Sequence, residues 1–395
     1  MSTINIGNIT NATFKVGGAD CSIYLGSVKL YPQEEPTHDY SQDYFTMVVT
    51  SSGGIKWSGS TTANTLSYSK DNGENWSAVT STDTVSVESG DKILWKGTTT
   101  PQSSNGIGKF SGDTNTRYSV EGNVMSLLYG DDFKGQTSLE GKNYAFYNLF
   151  SGNTNVISAE NLSLPATTLV DYCYSQMFLD CTNLRTAPEL PSTTLANVCY
   201  GSMFRGCTRL TTAPELPATT LTNTCYGYMF QGCTSLTTAP ELPATTLTYG
   251  CYGYMFNDCT SLTTAPELPA TTLASYCYYQ MFGRCTNLTT APELPTTTLI
   301  DYCYGSMFYG CTSLTTAPEL PATTLTNYCY ANMFYNCTSL SSIKCLATNI
   351  SASNCTKNWV SGVAASGTFT KAPSMSGWTT GNNGIPSGWA IQNAT

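Results

Sequence analysis

The chain has 395 residues, only 11% of them charged, and a net charge of −9. This acidic, Thr- and Tyr-rich composition lacks the basic stripe that nucleic-acid binding requires, which excludes nucleic acid as a partner. The first ten residues show neither the basic region nor the apolar core of a signal peptide. No apolar run approaches the ~20 residues that span a bilayer, so no membrane insertion is expected.

In chain order, residues 1–31 alternate in three short runs, 3–9, 13–16 and 23–31, which predicts a small all-β module. Pro32-Gln33-Glu34-Glu35-Pro36-Thr37-His38 reads as a linker within residues 32–39. Residues 40–140 carry strand signals at 44–50, 65–69, 84–88, 92–96 and 118–121. Turns such as Ser52-Gly53-Gly54 and Asp71-Asn72-Gly73 separate them at the spacing of a β-sandwich.

Residues 141–360 follow a 26-residue period. From Leu236 one unit reads L-T-T-A-P-E-L-P-A-T-T-L-T-Y-G-C-Y-G-Y-M-F-N-D-C-T-S, and Leu262 begins the next. Cys173, Cys199, Cys225, Cys251, Cys277, Cys303 and Cys329 mark the period, each with a second cysteine eight residues on, from Cys181 to Cys337. Such a period signals a solenoid whose units cover each other's apolar faces. In C-Y-x-x-M-F-x-x-C the apolar residues fall at i, i+1, i+4, i+5 and i+8, which predicts one face of a short helix. The following T-T-A-P-E-L-P is extended, because proline is excluded from helix interiors and restricts the residue before it. The first unit is two residues longer, and the last replaces Met-Phe by Trp359-Val360, as capping units should. Residues 361–395, with strand signals at 367–371 and 385–391, would form a C-terminal β cap.

The cysteines read as unpaired, small, buried apolar residues. On one helix the two of a unit would lie about 12 Å apart at 1.5 Å rise per residue, beyond the roughly 7 Å that a disulfide tolerates. Ala145 and Asn153 occupy the two positions in the first unit, so the motif works without sulfur. No C-x₂₋₄-C spacing offers a zinc site. The sole histidine, His38, lies in the linker, which removes Ser-His-Asp and Cys-His catalysis. A non-enzymatic protein without a cofactor is expected.

The segment Cys225-Tyr226-Gly227-Tyr228-Met229-Phe230-Gln231-Gly232-Cys233-Thr234-Ser235-Leu236 resembles the BspA-like leucine-rich repeats, whose pattern runs I-g-x-x-A-F-x-g-C-t-s-L-x-x-I-x-I-P. Cysteine replaces Ile and Met replaces Ala. The resemblance implies a β/α solenoid with short parallel strands on one side and short helices on the other. Pro240 and its equivalents sit where that family has a strand residue, and each removes a ladder hydrogen bond, so the strands should be very short or irregular. The flanking segments at 22–32, 93–97 and 120–130 resemble virion surface proteins of crAss-like phages of gut bacteria, and their hosts' surface proteins. In that phage group a short N-terminal module docks on the particle and a distal module faces outward.

Three further features carry chemistry. Ser69-Lys70-Asp71-Asn72-Gly73-Glu74-Asn75-Trp76 fits the S-x-D-x-G-x-x-W Asp-box and resembles sialidase blades; as a single copy it reads as a tight turn. Glu189, Glu215, Glu241, Glu267, Glu293 and Glu319 recur at the A-P-E step. They read as a solvated face, or, more sharply, as a column for weak Ca²⁺ binding. Six equivalent copies argue against glycoside hydrolysis, which needs asymmetric environments to separate acid from base. Lastly, the scaffold residues barely change between units while a fringe varies. That fringe includes Tyr172, Tyr228, Tyr249, Tyr254, Tyr276, Tyr279, Tyr302, Tyr309, Tyr328 and Tyr335. Tyrosine gives large contact area at low entropic cost, which marks these ten as candidate receptor-binding residues; free drift of exposed positions is the alternative.

The sequence thus predicts a multidomain chain: a β anchor (1–31), a linker (32–39), a β-sandwich (40–140), a solenoid (141–360) and a cap (361–395). The expected function is a phage virion surface protein, a head fibre or tail appendage, made in the host bacterial cytoplasm. Its N-terminal module would dock on other virion proteins and its array would bind a host surface glycan or protein. Homo-oligomerisation is expected, with a trimer favoured. A bacterial cell-surface BspA-like adhesin is the alternative, ahead of a glycan-cleaving enzyme.

Overall fold

The computed structural model describes residues 38–395, except 62, 63 and 104, and the backbone of three strands nearer the N-terminus. Those strands, β1 (Ala12–Gly17), β2 (Asp20–Leu25) and β3 (Val28–Tyr31), form an antiparallel sheet in that order. The run expected as one strand at 23–31 is therefore split between two, and the strand expected at 3–9 lies outside the described residues. Met1–Asp39 is one compact unit and Tyr40–Thr395 a second.

The second unit opens with two facing sheets. One contains β4 (Phe45–Ser51), β6 (Leu66–Ser69), β7 (Ser77–Val79), β9 (Lys92–Lys96) and β11 (Arg117–Asn123); the other contains β5 (Gly53–Gly59), β8 (Thr84–Val87) and β10 (Gly108–Gly112). Alternation places Phe45, Met47 and Val49 of β4 and Ile93 and Trp95 of β9 on the buried side. Phe110 of β10 meets Phe45 at 5.7 Å and Trp95 edge-on at 5.0 Å, so the core lies between the sheets. Strands β5, β7 and β10 were not expected from the sequence. β5 begins in the Ser52-Gly53-Gly54 run read as a turn, and the glycines of β5 and β10 lie where close neighbouring atoms leave no room for a side chain. A Cβ on Gly108 would stand 2.5 Å from the Ser58 carbonyl.

The repeat region joins this core without a seam. Strand β12 (Val156–Ser163), from the first repeat unit, pairs in parallel with β11 and completes a six-stranded sheet, β12-β11-β4-β9-β6-β7. The boundary expected at residues 140–141 falls inside this compact unit.

Where short helices were expected, the described repeats contain none; the C-Y-x-x-M-F-x-x-C segment is instead a ribbon of successive turns. Its N–H groups alternate. Ser175, Met177, Leu179 and Cys181 donate three residues back within the ribbon, at 3.1–3.2 Å. Tyr174, Gln176, Phe178 and Asp180 donate to Cys199, Gly201, Met203 and Arg205 of the next unit, at 2.7–3.0 Å. A helix would spend every interior N–H on itself. Here half of them bind the neighbouring unit, and every fourth residue takes a positive φ: Tyr172 at 60°, Gln176 at 56° and Asp180 at 54°. Apolar pairs recurring every four residues, rather than every 3.6, suit this geometry.

The extended side is reduced as the prolines require. Successive units meet there at single bridges, Thr212 with Thr238, Thr264 with Thr290, and Thr246 with Thr272. True strands form at the ends, in β12 and β13 (Ser342–Cys345), where no proline interrupts. The contrast within one array assigns the loss of strand to proline, which cannot donate to the ladder.

Two aromatic columns fill the interior. Phe150, Phe178, Phe204, Phe230, Phe256, Phe282, Phe308 and Phe334 stack at 5.2–5.8 Å. Tyr174, Tyr200, Tyr226, Tyr252, Tyr278, Tyr304 and Tyr330 run beside them. Trp359 ends both, and Trp378 stacks on it at 5.5 Å. Beyond lies a parallel sheet, β13-β14-β15, with β14 at Thr368–Lys371 and β15 at Ala390–Asn393. β14 falls on the expected run 367–371, whereas β15 begins only at the end of the run expected at 385–391.

The sixteen cysteines from Cys173 to Cys355 are all buried and unpaired. The second cysteine of each unit directs its thiol at a phenylalanine carbonyl of the preceding unit: Cys207 to Phe178 at 3.1 Å, Cys233 to Phe204 at 3.1 Å. Burial pushes the Cys173 thiol up to about 12 and that of Cys225 to about 11, so the thiols stay protonated and unreactive.

Candidate functional site

Because the ribbon has a four-residue period, its variable positions line up from unit to unit. Tyr228 and Tyr254 occupy the same place in successive units and stack at 4.5 Å, planes 10° apart. Tyr276, Tyr302 and Tyr328 occupy the place before the first cysteine and stack at 4.6 Å. Tyr279 stands between the two columns, 5.4 Å from both Tyr254 and Tyr276 and inclined about 60° to each. Tyr249, 53% exposed, lies 5.6 Å from Tyr276.

All of these rings but Tyr328 line an open groove of about 470 Å³ whose lining also includes Thr224, Gly250 and Gly253. Gly250 holds the place that Tyr276 holds one unit later, and Gly253 the place of Tyr279. The repeat symmetry is broken here. Side chains are missing on one unit and bulky on the next, which leaves a hollow with aromatic walls and a buried glycine floor. Burial pushes the Tyr254 phenol up to about 12, with Tyr279 adding to the shift, and raises those of Tyr228 and Tyr276. The phenols are therefore neutral at neutral pH and able both to donate and to accept.

Of the ten tyrosines singled out in the sequence, Tyr228, Tyr249, Tyr254, Tyr276, Tyr279, Tyr302 and Tyr328 thus come together. Tyr172 is apart, stacked on Tyr144 at 4.6 Å. Tyr309 and Tyr335 form another pair at 5.1 Å, with the Arg284 guanidinium 5.8 Å from the Tyr309 ring. Sequence comparison missed Tyr144, Thr224, Gly250 and Gly253. A signal was present at two positions: Gly250 stands where the next three units carry Tyr276, Tyr302 and Tyr328, and Tyr279 stands where Gly227, Gly253 and Gly305 are glycine.

The Asp-box is a turn, as expected. Asp71 accepts the Asn75 N–H at 2.9 Å and the Ser69 hydroxyl at 2.7 Å, and Trp76 Nε1 donates to the Gly73 carbonyl at 3.0 Å. Those hydrogen bonds, that from the Asn75 backbone first, lower the Asp71 carboxyl to about 2. The Glu column lines shallow grooves between successive A-P-E-L-P segments, and Glu319 pairs with Lys344 at 2.9 Å. Among the described residues no group of three or more His, Cys, Asp or Glu is placed to hold a metal ion, so Ca²⁺ at this column would lack a three-ligand cluster.

A unit that closes its core only against its neighbours defines a stacked-repeat protein. Residues 140–281 and 223–359 match the BspA type leucine rich repeat region, in six copies, together more than half of the chain. The chain belongs to the BspA-type leucine-rich repeat family, generally non-enzymatic binding proteins. No curated protein and no solved structure matches it.

Proposed function

We propose that this is a non-enzymatic surface-binding protein whose repeat array, a solenoid, engages a host surface glycan or protein through the tyrosine cluster of its central units. One observation carries this reading: six variable-position tyrosines line a groove where the repeat symmetry breaks, and a seventh, Tyr328, stacks behind them on Tyr302. Free drift of surface residues has no tendency to gather aromatic side chains in one place.

The particle is the proposed setting. The flanking segments at 22–32, 93–97 and 120–130, with their likeness to crAss-like phage virion proteins, support a head fibre or tail appendage. Its N-terminal module docks on other virion proteins, as a homo-oligomer with a trimer favoured. Membership of the BspA-type family supports the second reading, a bacterial cell-surface adhesin.

Gold-labelled antibodies against residues 380–395 test the setting. Label on purified particles, distal to the capsid or tail surface, is the expected result. Label confined to bacterial envelopes would establish the adhesin, and label buried against the capsid would reverse the assigned roles of the two ends.

A further inference from the structure

We propose that the groove between the Tyr228–Tyr254 column and the Tyr276–Tyr302 column is a binding site for a neutral glycan, a short run of uncharged pyranose units. This deepens the surface-binding reading above, on which it rests, by naming the ligand class.

The backbone conformation does not account for the glycine at 250. Gly250 has φ 59°, and the residues at the same place in the next two units, Tyr276 and Tyr302, have φ 60° and 61°. Tyrosine is therefore compatible with this conformation in this fold. What glycine changes is the space: a phenol ring in place of the Gly250 hydrogen would continue the Tyr276 column into the groove. Gly250 is an omission, Tyr279 is an insertion where Gly201, Gly227, Gly253 and Gly305 are glycine, and both fall in the lining of the same hollow.

The chemistry of the hollow selects its occupant. Its lining contains no charged residue and no aliphatic one, only phenol rings, glycine and a threonine. Aromatic faces carry negative quadrupole charge, which attracts the electropositive C–H faces of a pyranose. The phenol hydroxyls can donate to and accept from sugar hydroxyls. Tyr279, inclined about 60° to Tyr254 and Tyr276, supplies a second plane, so a chain lying along the stacked rings meets a wall at one end. A volume of about 470 Å³ lies within the roughly 300–1,000 Å³ range of small-ligand sites. A protein interface spreads over about 800 Å² per side, whereas the six rings here are gathered around one groove of small-ligand size.

The full chain, probed on an array of neutral and acidic bacterial polysaccharides, provides the test. Gly250→Tyr fills the hollow with the residue that the next three units carry, and Tyr254→Ala removes a wall. Val198→Tyr makes the first change at the equivalent place two units away and serves as control. Binding to neutral glycans is expected, lowered at least tenfold by Gly250→Tyr and Tyr254→Ala and unchanged by Val198→Tyr, all three retaining the wild-type melting transition. Absence of neutral-glycan binding, or binding indifferent to Gly250→Tyr, overturns the proposal. A parallel assay on gut-bacterial envelopes separates it from the broader reading. Binding that survives periodate but is lost to protease keeps the surface-binding function and replaces the glycan with a protein. Loss of all binding, to envelopes and glycans alike, removes both.

Discussion

Asn153 donates its side-chain amide to the Phe110 carbonyl at 3.0 Å and to the Tyr118 hydroxyl at 2.8 Å. One unit on, Cys181 makes the equivalent contact to Phe150 at 3.0 Å, and each later unit repeats it as far as Cys337. Phe110 therefore stands where a preceding unit's phenylalanine would be, and it stacks on Phe150 at 5.7 Å with planes 17° apart. The two-sheet core is the N-terminal cap of the array. Asn153→Ala removes both of these bonds and the one its Oδ1 accepts from the Asn155 N–H at 2.8 Å, and should lower stability by roughly 2–4 kcal/mol. Urea unfolding followed by tryptophan fluorescence measures it; a midpoint unchanged from wild type would mean the junction contributes nothing.

Phe230 lies midway along its column, between Phe204 at 5.8 Å and Phe256 at 5.7 Å. Truncation to alanine opens a cavity shared by three units and should cost about 3–5 kcal/mol. In a stacked array the loss spreads to neighbours, because each unit depends on adjacent interfaces. Limited proteolysis should therefore show new cleavage in the units on either side of Phe230; a protection pattern like wild type would contradict that coupling.

The buried thiols impose an alkaline limit. In the fold, burial pushes Cys173 and Cys345 up to about 12 and holds Cys199 and Cys303 well above the ordinary thiol range. Unfolded cysteines titrate near 8.5. Above that value the unfolded chain loses protons that the fold retains, so stability falls as pH rises, from about pH 8.5 toward the folded values. Melting temperature should be flat through neutral pH and decline steadily above about pH 9, reversibly under reducing conditions. A transition that stays level into strong alkali would show that the thiols are solvent-accessible.

Amide exchange should map an unusual order of protection. Tyr226, Tyr228, Phe230 and Gly232 donate their N–H groups to the next unit at 2.8–3.2 Å. The extended side carries Pro240 and Pro243, which have no N–H, and meets its neighbours only at single bridges. Exchange should thus be slowest along the turn ribbon and faster through residues 237–245, with protected strand amides only in β12 and β13. Uniformly slow exchange across residues 237–245 would mean a continuous strand there.

The repeat length, the division of each unit into fixed and variable positions, and the small buried character of the cysteines are written in the sequence by itself. Each follows from comparing copies, and from local rules such as the exclusion of proline from a ladder. The turn ribbon is not. Positive φ at Tyr172 or Arg284 costs about 1–2 kcal/mol per residue locally, and is offset only when a neighbouring unit accepts that residue's own N–H. That hydrogen bond spans 25 residues, as from Gln176 to Gly201, and exists only in the stack. The same holds for the candidate site. Tyr254 and Tyr276 are legible as variable residues, but that Gly250 and Gly253 hollow out the space between their columns depends on which units lie side by side. Only the tertiary structure decides that.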